Sequence, residues 1–167
     1  MNSTRRLIFL TAILAVFVLN GCKNQKDKHQ QKDNSSSALF ARGDKTPATN
    51  FSGNAYLKPL VARDKNNDLV MGSVYFEPGA RTNWHKHPKG QVLIVTEGSG
   101  FYQQRGKPAR ALSKGDVVNI QEDVEHWHGA TATTDFAHIA LTNFKNDSNV
   151  IWLEPVSQVD YTAVNKK

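Results

Sequence analysis

The feature that most constrains this chain is a succession of short apolar segments broken by turn residues. Segments rich in Val, Ile, Phe, Tyr and Thr occupy 69–76, 91–96, 100–104, 116–120, 136–143 and 150–153, roughly one every eight to twelve residues. Between them lie Glu77-Pro78-Gly79, Pro88-Lys89-Gly90, Gly98-Ser99-Gly100, Arg105-Gly106-Lys107-Pro108 and Ser113-Lys114-Gly115-Asp116. Each supplies the Gly or Pro that a tight reversal needs. No long stretch carries a 3.6-residue period, so helices should be few. Many short strands at regular spacing predict an all-β sandwich or barrel. Residues 38–167 suit one domain, large enough to bury roughly two-thirds of its unfolded surface.

The first 37 residues belong to none of this. Arg5 and Arg6 precede an apolar run from Leu7 to Leu19, the layout of an export signal and shorter than the roughly 20 residues of a spanning helix. The run ends in Leu19-Asn20-Gly21-Cys22, which resembles the lipobox of bacterial lipoproteins, whose cysteine is lipidated. Cys22 is the chain's one cysteine, and a lone thiol in an exported protein calls for such an explanation. The expected organisation is therefore a signal peptide over 1–21, then lipidated Cys22 with a disordered polar tether over 22–37. Residues 23–37, KNQKDKHQQKDNSSS, hold no side chain that could enter a core. This puts the domain on the exported side of the bacterial cell envelope, anchored to membrane by lipid.

Of the net charge of +6, the first 37 residues carry +4, six Lys and Arg against two Asp, so the domain carries only +2. No basic cluster or recognition motif for nucleic acid accompanies it. Nucleic acid is therefore excluded as an expected partner, while a homo-oligomer is left open.

Two histidine groups stand out against this β pattern. His85 and His87 lie two apart, and alternate residues of a strand share a face, so their imidazoles can converge. Gln91 opens the next apolar run and can direct its amide inward. His126 and His128 repeat the arrangement after a further strand and turn. In 136–143, alternation groups Phe136, His138, Ala140 and Thr142 on one face. Solvated strand histidines are the plainer alternative for any one His-x-His pair; it is the two groups together that favour a metal.

Gly79, His85, Lys86, His87, Gln91 and Gly98, followed by Gly115 and His126, resemble the two signature motifs of the cupin family. The resemblance covers most of residues 69–143 and implies a single-domain cupin, a jelly-roll β-barrel. It further implies that His85, His87, Gln91 and His126 hold one divalent metal inside the barrel. Gln91 stands where glutamate is usual, and Ala130 where asparagine often closes the second motif. Imidazole suits Zn, Fe and Ni, and an amide oxygen admits Mn; manganese is the favoured ion, with Fe, Zn, Ni or Co open. Four neutral ligands leave the full 2+ charge in place, making a stronger Lewis acid than a site with glutamate. His128 is expected beside the metal or substrate rather than as a ligand.

The run from Phe76 to Ala109, with Gly115-Asp116, His126-Trp127-His128 and His138, is most similar to the small cupins that include bacterial hydroxynitrile lyases. That likeness implies a metal-dependent lyase cleaving a small cyanohydrin, with His138 as catalytic base and Gly72 and Val74 lining the pocket. Trp84, Trp127 and Phe136 flank the histidines and are expected to make the cavity aromatic. Two other classes remain: an oxygen-activating oxidoreductase, and a non-enzymatic module that binds a small ligand or metal.

Overall fold

A computed structural model describes residues 39–166. The expected signal segment, Cys22 and the tether through residue 37 lie outside the described residues. The elements are β1 (Asp44–Lys45), β2 (Phe51–Ser52), β3 (Ala55–Val61), β4 (Leu69–Phe76), β5 (Arg81–Thr82), β6 (His85–Lys86), β7 (Gln91–Gln104), β8 (Arg110–Ser113), β9 (Val117–Ile120), β10 (His126–Ala130), β11 (Phe136–Asn143), β12 (Ile151–Trp152) and the helix α1 (Gln158–Val164).

All the strand pairings are antiparallel, and the strands run β1-β3-β4-β11-β7-β10-β5-β2 in a curled sheet. This is the all-β jelly roll expected from the sequence. Its organiser is β7. The first half of β7, from Gln91, pairs with β11 and β9, and the second half, from Ser99, pairs with β10 and β8. The Gly98-Ser99-Gly100 stretch is therefore not the turn it resembles but the crossing point within one continuous strand. At Gly98 φ is 68°, and a Cβ there would stand 1.9 Å from the Asp135 carbonyl oxygen. Only glycine meets both demands at low cost.

Alternation places the functional positions on the concave face. Gln91 is opposite Thr142, and His138 is opposite both Val74 and Val95. On β10, His126 and His128 face inward while Trp127 faces out. Below the histidines, Val74, Phe76, Leu93, Val95, Val118, Ile120 and Phe136 form the main core, each large apolar side chain contributing about 1.5–3 kcal/mol by burial. Behind β10 a second cluster of Trp84, Trp127, Val156 and Tyr161 seats α1. Seven residues are too few to be helical unaided. Ser157 caps α1 by accepting from the Asp160 N–H at 3.0 Å, and the Tyr161 hydroxyl donates to the Ala130 carbonyl at 2.9 Å.

Candidate functional site

Five of the six histidines in the chain meet in the barrel interior. His85 comes from β6, His126 and His128 from β10, His138 from β11, and His87 from the turn before β7. The register brings His85 directly opposite His126, with ring centroids 4.2 Å apart. One ring nitrogen from each of His85, His126 and His128 falls within 4.8 Å of the other two. These three could hold a metal ion.

The hydrogen bonds orient the rings for that task. His85 Nδ1 lies 3.0 Å from the Asn83 carbonyl oxygen, and His126 Nδ1 lies 2.8 Å from that of Val124. His87 Nδ1 contacts the Asn149 carbonyl oxygen. A carbonyl can only accept, so each Nδ1 carries the proton and each neutral ring presents a bare Nε2 lone pair. This is how metal-binding histidines are held. The Nε2 atoms of His87 and His128 are buried with no hydrogen-bond partner.

Gln91 directs its amide oxygen at His126 Nε2, 3.2 Å away, and its amide nitrogen toward Thr142 Oγ1 at 3.5 Å. With the amide oxygen toward His126 Nε2, two lone pairs face the same point, an arrangement that suits a shared cation. Neutral imidazoles with bare Nε2 lone pairs fit a divalent ion; His85, His126 and His128 are near enough to share one, and His87 and Gln91 lie beside them on the cavity wall. No carboxylate lines the adjoining cavity.

Burial depresses the proton affinity of the whole cluster. It lowers the His126 pKa to about 4 and the His138 pKa to about 3. His85 and His128 fall well below the ordinary value, through burial first and then through neighbouring imidazoles. His87 is lowered by burial. At neutral pH all five rings are therefore uncharged, the form that ligates metal or accepts a proton.

The cavity has a volume of about 140 Å³ and is lined on one side by His85, His87, Gln91 and His128. His138 is fully buried and does not reach it directly. Instead, His138 Nε2 lies 3.1 Å from His128 Nδ1, so His128 stands between His138 and the cavity. Thr82 Oγ1 secures His128 through contacts to its backbone N–H and carbonyl, at 3.2 and 3.3 Å.

The other expected positions divide. Val74 lines the cavity. Gly72 lies just behind, where a Cβ would come within 2.6 Å of Leu57 Cδ1. Phe136 packs edge-on against His138 at 5.4 Å and belongs to the core. Trp84 and Trp127 do not line the cavity: Trp127 alternates with the histidines on β10, and both rings sit in the outer cluster with Tyr161. The aromatic wall comes from Phe51 and Trp152. Neither lies in a recognisable motif. Trp152 is brought in because β12 pairs with β6, setting it opposite His85.

Comparison with known proteins agrees with the fold. Residues 72–141 match the family described as Cupin domain. An (R)-mandelonitrile lyase from Granulicella tundricola is 41% identical over 117 residues, covering 70% of this chain and 89% of that protein. The crystal structure of a cupin-like protein from Thermotoga maritima superposes with a TM-score of 0.73 at 46% identity, covering 77% of this chain and 98% of the other. A cupin-2 domain protein from Rhodospirillum rubrum shares the fold alone, with a TM-score of 0.55 at 15% identity over 75% of this chain and 80% of its own.

Proposed function

The chain belongs to the cupin family, and on that premise we propose that it is a metal-dependent lyase of the hydroxynitrile-lyase type. It cleaves a small cyanohydrin, or a related hydroxy compound, to a carbonyl compound and hydrogen cyanide. The observation that carries this reading is a set of uncharged donors, three imidazoles and one amide without a carboxylate, lining a small and mostly apolar cavity. The 41% identity to a mandelonitrile lyase supports it.

In this reading His85, His87, Gln91 and His126 hold the divalent ion, manganese being favoured. Bound there, the ion supplies Lewis acidity toward the substrate oxygen, undiminished by any anionic ligand. The remaining work falls to the protein. His128 faces the substrate hydroxyl and takes its proton on Nε2, passing its own Nδ1 proton to His138 Nε2. As the oxygen loses its proton the carbonyl forms, and the bond to the cyano carbon breaks with its electron pair leaving as cyanide. The same two histidines return a proton, so hydrogen cyanide departs and the site is restored. Burial keeps the His138 imidazole unprotonated in the resting site, so the proton it takes from His128 is held only transiently. The apolar wall excludes water from the reacting carbon. The domain is carried at the bacterial envelope by lipidated Cys22 and the polar tether.

Mandelonitrile cleavage, followed as benzaldehyde absorbance in metal-loaded and chelator-stripped protein, tests the proposal. Stripping should abolish cleavage above background, and His138→Ala should lower it roughly 10²–10⁴-fold while keeping the metal. Equal rates with and without metal contradict it.

A further inference from the structure

The cavity is polar on one side and aromatic on the other, and the aromatic side is built by two segments that the cupin motifs do not contain. Phe51 comes from the two-residue strand β2 and Trp152 from the two-residue strand β12. Their ring centroids are 5.5 Å apart at an interplanar angle of 55°. Trp152 also packs on His85 at 4.9 Å and 37°, so it spans from the candidate metal ligand to the aromatic wall. With the Asn50 amide turned so that its oxygen faces the indole, Trp152 Nε1–H donates to it at 3.3 Å, which fixes the ring plane. Leu57, Val74, Ala140 and Val150 close the remaining apolar sides. Both aromatic residues are only partly buried, in a molecule whose other large core aromatics, Phe76, Trp127 and Phe136, are fully enclosed.

The geometry points to Phe51 and Trp152 as the specificity-determining residues of this site, selecting a substrate with a single planar aromatic ring. The ring lies against these two residues, and its oxygen-bearing substituent faces His128 and the other imidazoles. This deepens the reading of the cavity as the lyase site and rests on it. Size sets the upper limit. An apolar cavity of about 150 Å³ accommodates benzene, so the 140 Å³ here takes one ring with a short substituent and rejects two fused rings. Shape sets the preference within that limit. Ring pairs in edge-to-face or offset contact gain about two- to twelve-fold in affinity each beyond the area they cover, and a saturated ring of the same size lacks that gain.

The probes are ketones, which bind without being cleaved: acetophenone, cyclohexyl methyl ketone and 2-acetonaphthone. Affinities for metal-loaded protein are measured by NMR titration, with metal content determined for each variant. Wild type should bind acetophenone several-fold more tightly than the cyclohexyl ketone and the naphthyl ketone weakest of all. Trp152→Leu should erase the aryl preference and Trp152→Phe should retain most of it. Because Trp152 also packs on His85, Phe51→Leu is run beside it; that ring contacts Phe76 and Trp152, and the variant should keep its metal yet lose part of the preference. Equal affinity of wild type for the aryl and cyclohexyl ketones, or an unchanged preference in both leucine variants, overturns the assignment. If the preference holds but no cyanohydrin is cleaved, the lyase reading fails while the aromatic wall stands.

Discussion

Packing five neutral imidazoles into one barrel makes the metal-free domain acid-labile in a way that can be calculated. A histidine with a depressed folded pKa contributes stability above its unfolded pKa of about 6.5, and that contribution is lost as the pH falls from there toward the folded value. At pH 5 an unfolded histidine is almost fully protonated, while His126, at about 4, and His138, at about 3, remain mostly neutral in the fold. Relative to pH 7.5, each of these two groups then disfavours the folded state by about 2 kcal/mol. His85, His87 and His128 shift in the same direction. The combined loss is of the order of the whole stability of an ordinary domain, about 5–15 kcal/mol. Urea denaturation of chelator-treated protein, followed by circular dichroism from pH 7.5 to pH 5, should show stability falling by well over about 1.4 kcal/mol per pH unit below pH 6, the slope for uptake of one proton. Metal at 100 times its dissociation constant should add about 2.7 kcal/mol at neutral pH and lose that benefit on acidification. A metal-free domain whose stability changes by less than one proton's worth over this range refutes the claim that the rings are buried together uncharged.

Three further outcomes follow from the same structure. His128→Ala should keep most of its metal, because the proton relay needs His128 Nε2 unligated; its loss would move His128 into the ligand set. Gly98→Ala should destabilise by well over about 1 kcal/mol in thermal or urea unfolding, since both the positive φ and the Asp135 carbonyl oppose a side chain; a near-neutral change would mean β7 can cross between its partners by another route. Cys22→Ser should release soluble domain or block processing, as judged by membrane fractionation and mass spectrometry of the mature N-terminus; a wild-type mature protein that starts elsewhere and carries no acyl chain would contradict the anchor.

The parts of the fold written in local pattern were legible. Leu69–Phe76 and Phe136–Asn143 occupy the ranges predicted from their runs of apolar and β-branched residues, because both are covered along nearly their whole length. Gly98-Ser99-Gly100 misled, since the same glycines that permit a turn also permit a strand to pass close to two neighbouring backbones. The two His-x-His groups do converge, with His85, His126 and His128 close enough to share an ion, whereas His138 stands behind His128. What spacing could not supply is pairing between distant edges. Phe51, Asn149 and Trp152 reach the cavity through two-residue strands and one carbonyl contact, none of which leaves a periodic trace. Trp84 and Trp127 were misplaced for a related reason: proximity to histidine in sequence says nothing about which side of a strand a ring occupies, and strict alternation sends Trp127 away from His126 and His128.

The most direct test is the metal content of full-length protein purified without chelator, measured by mass spectrometry of the acid-released ion, beside His126→Ala. A metal centre built from these residues predicts one divalent ion per chain, manganese foremost, with most of it absent from the variant. Folded wild type that carries no ion and takes up none of Mn, Fe, Zn, Ni or Co contradicts it, as does a His126→Ala protein that retains a full equivalent.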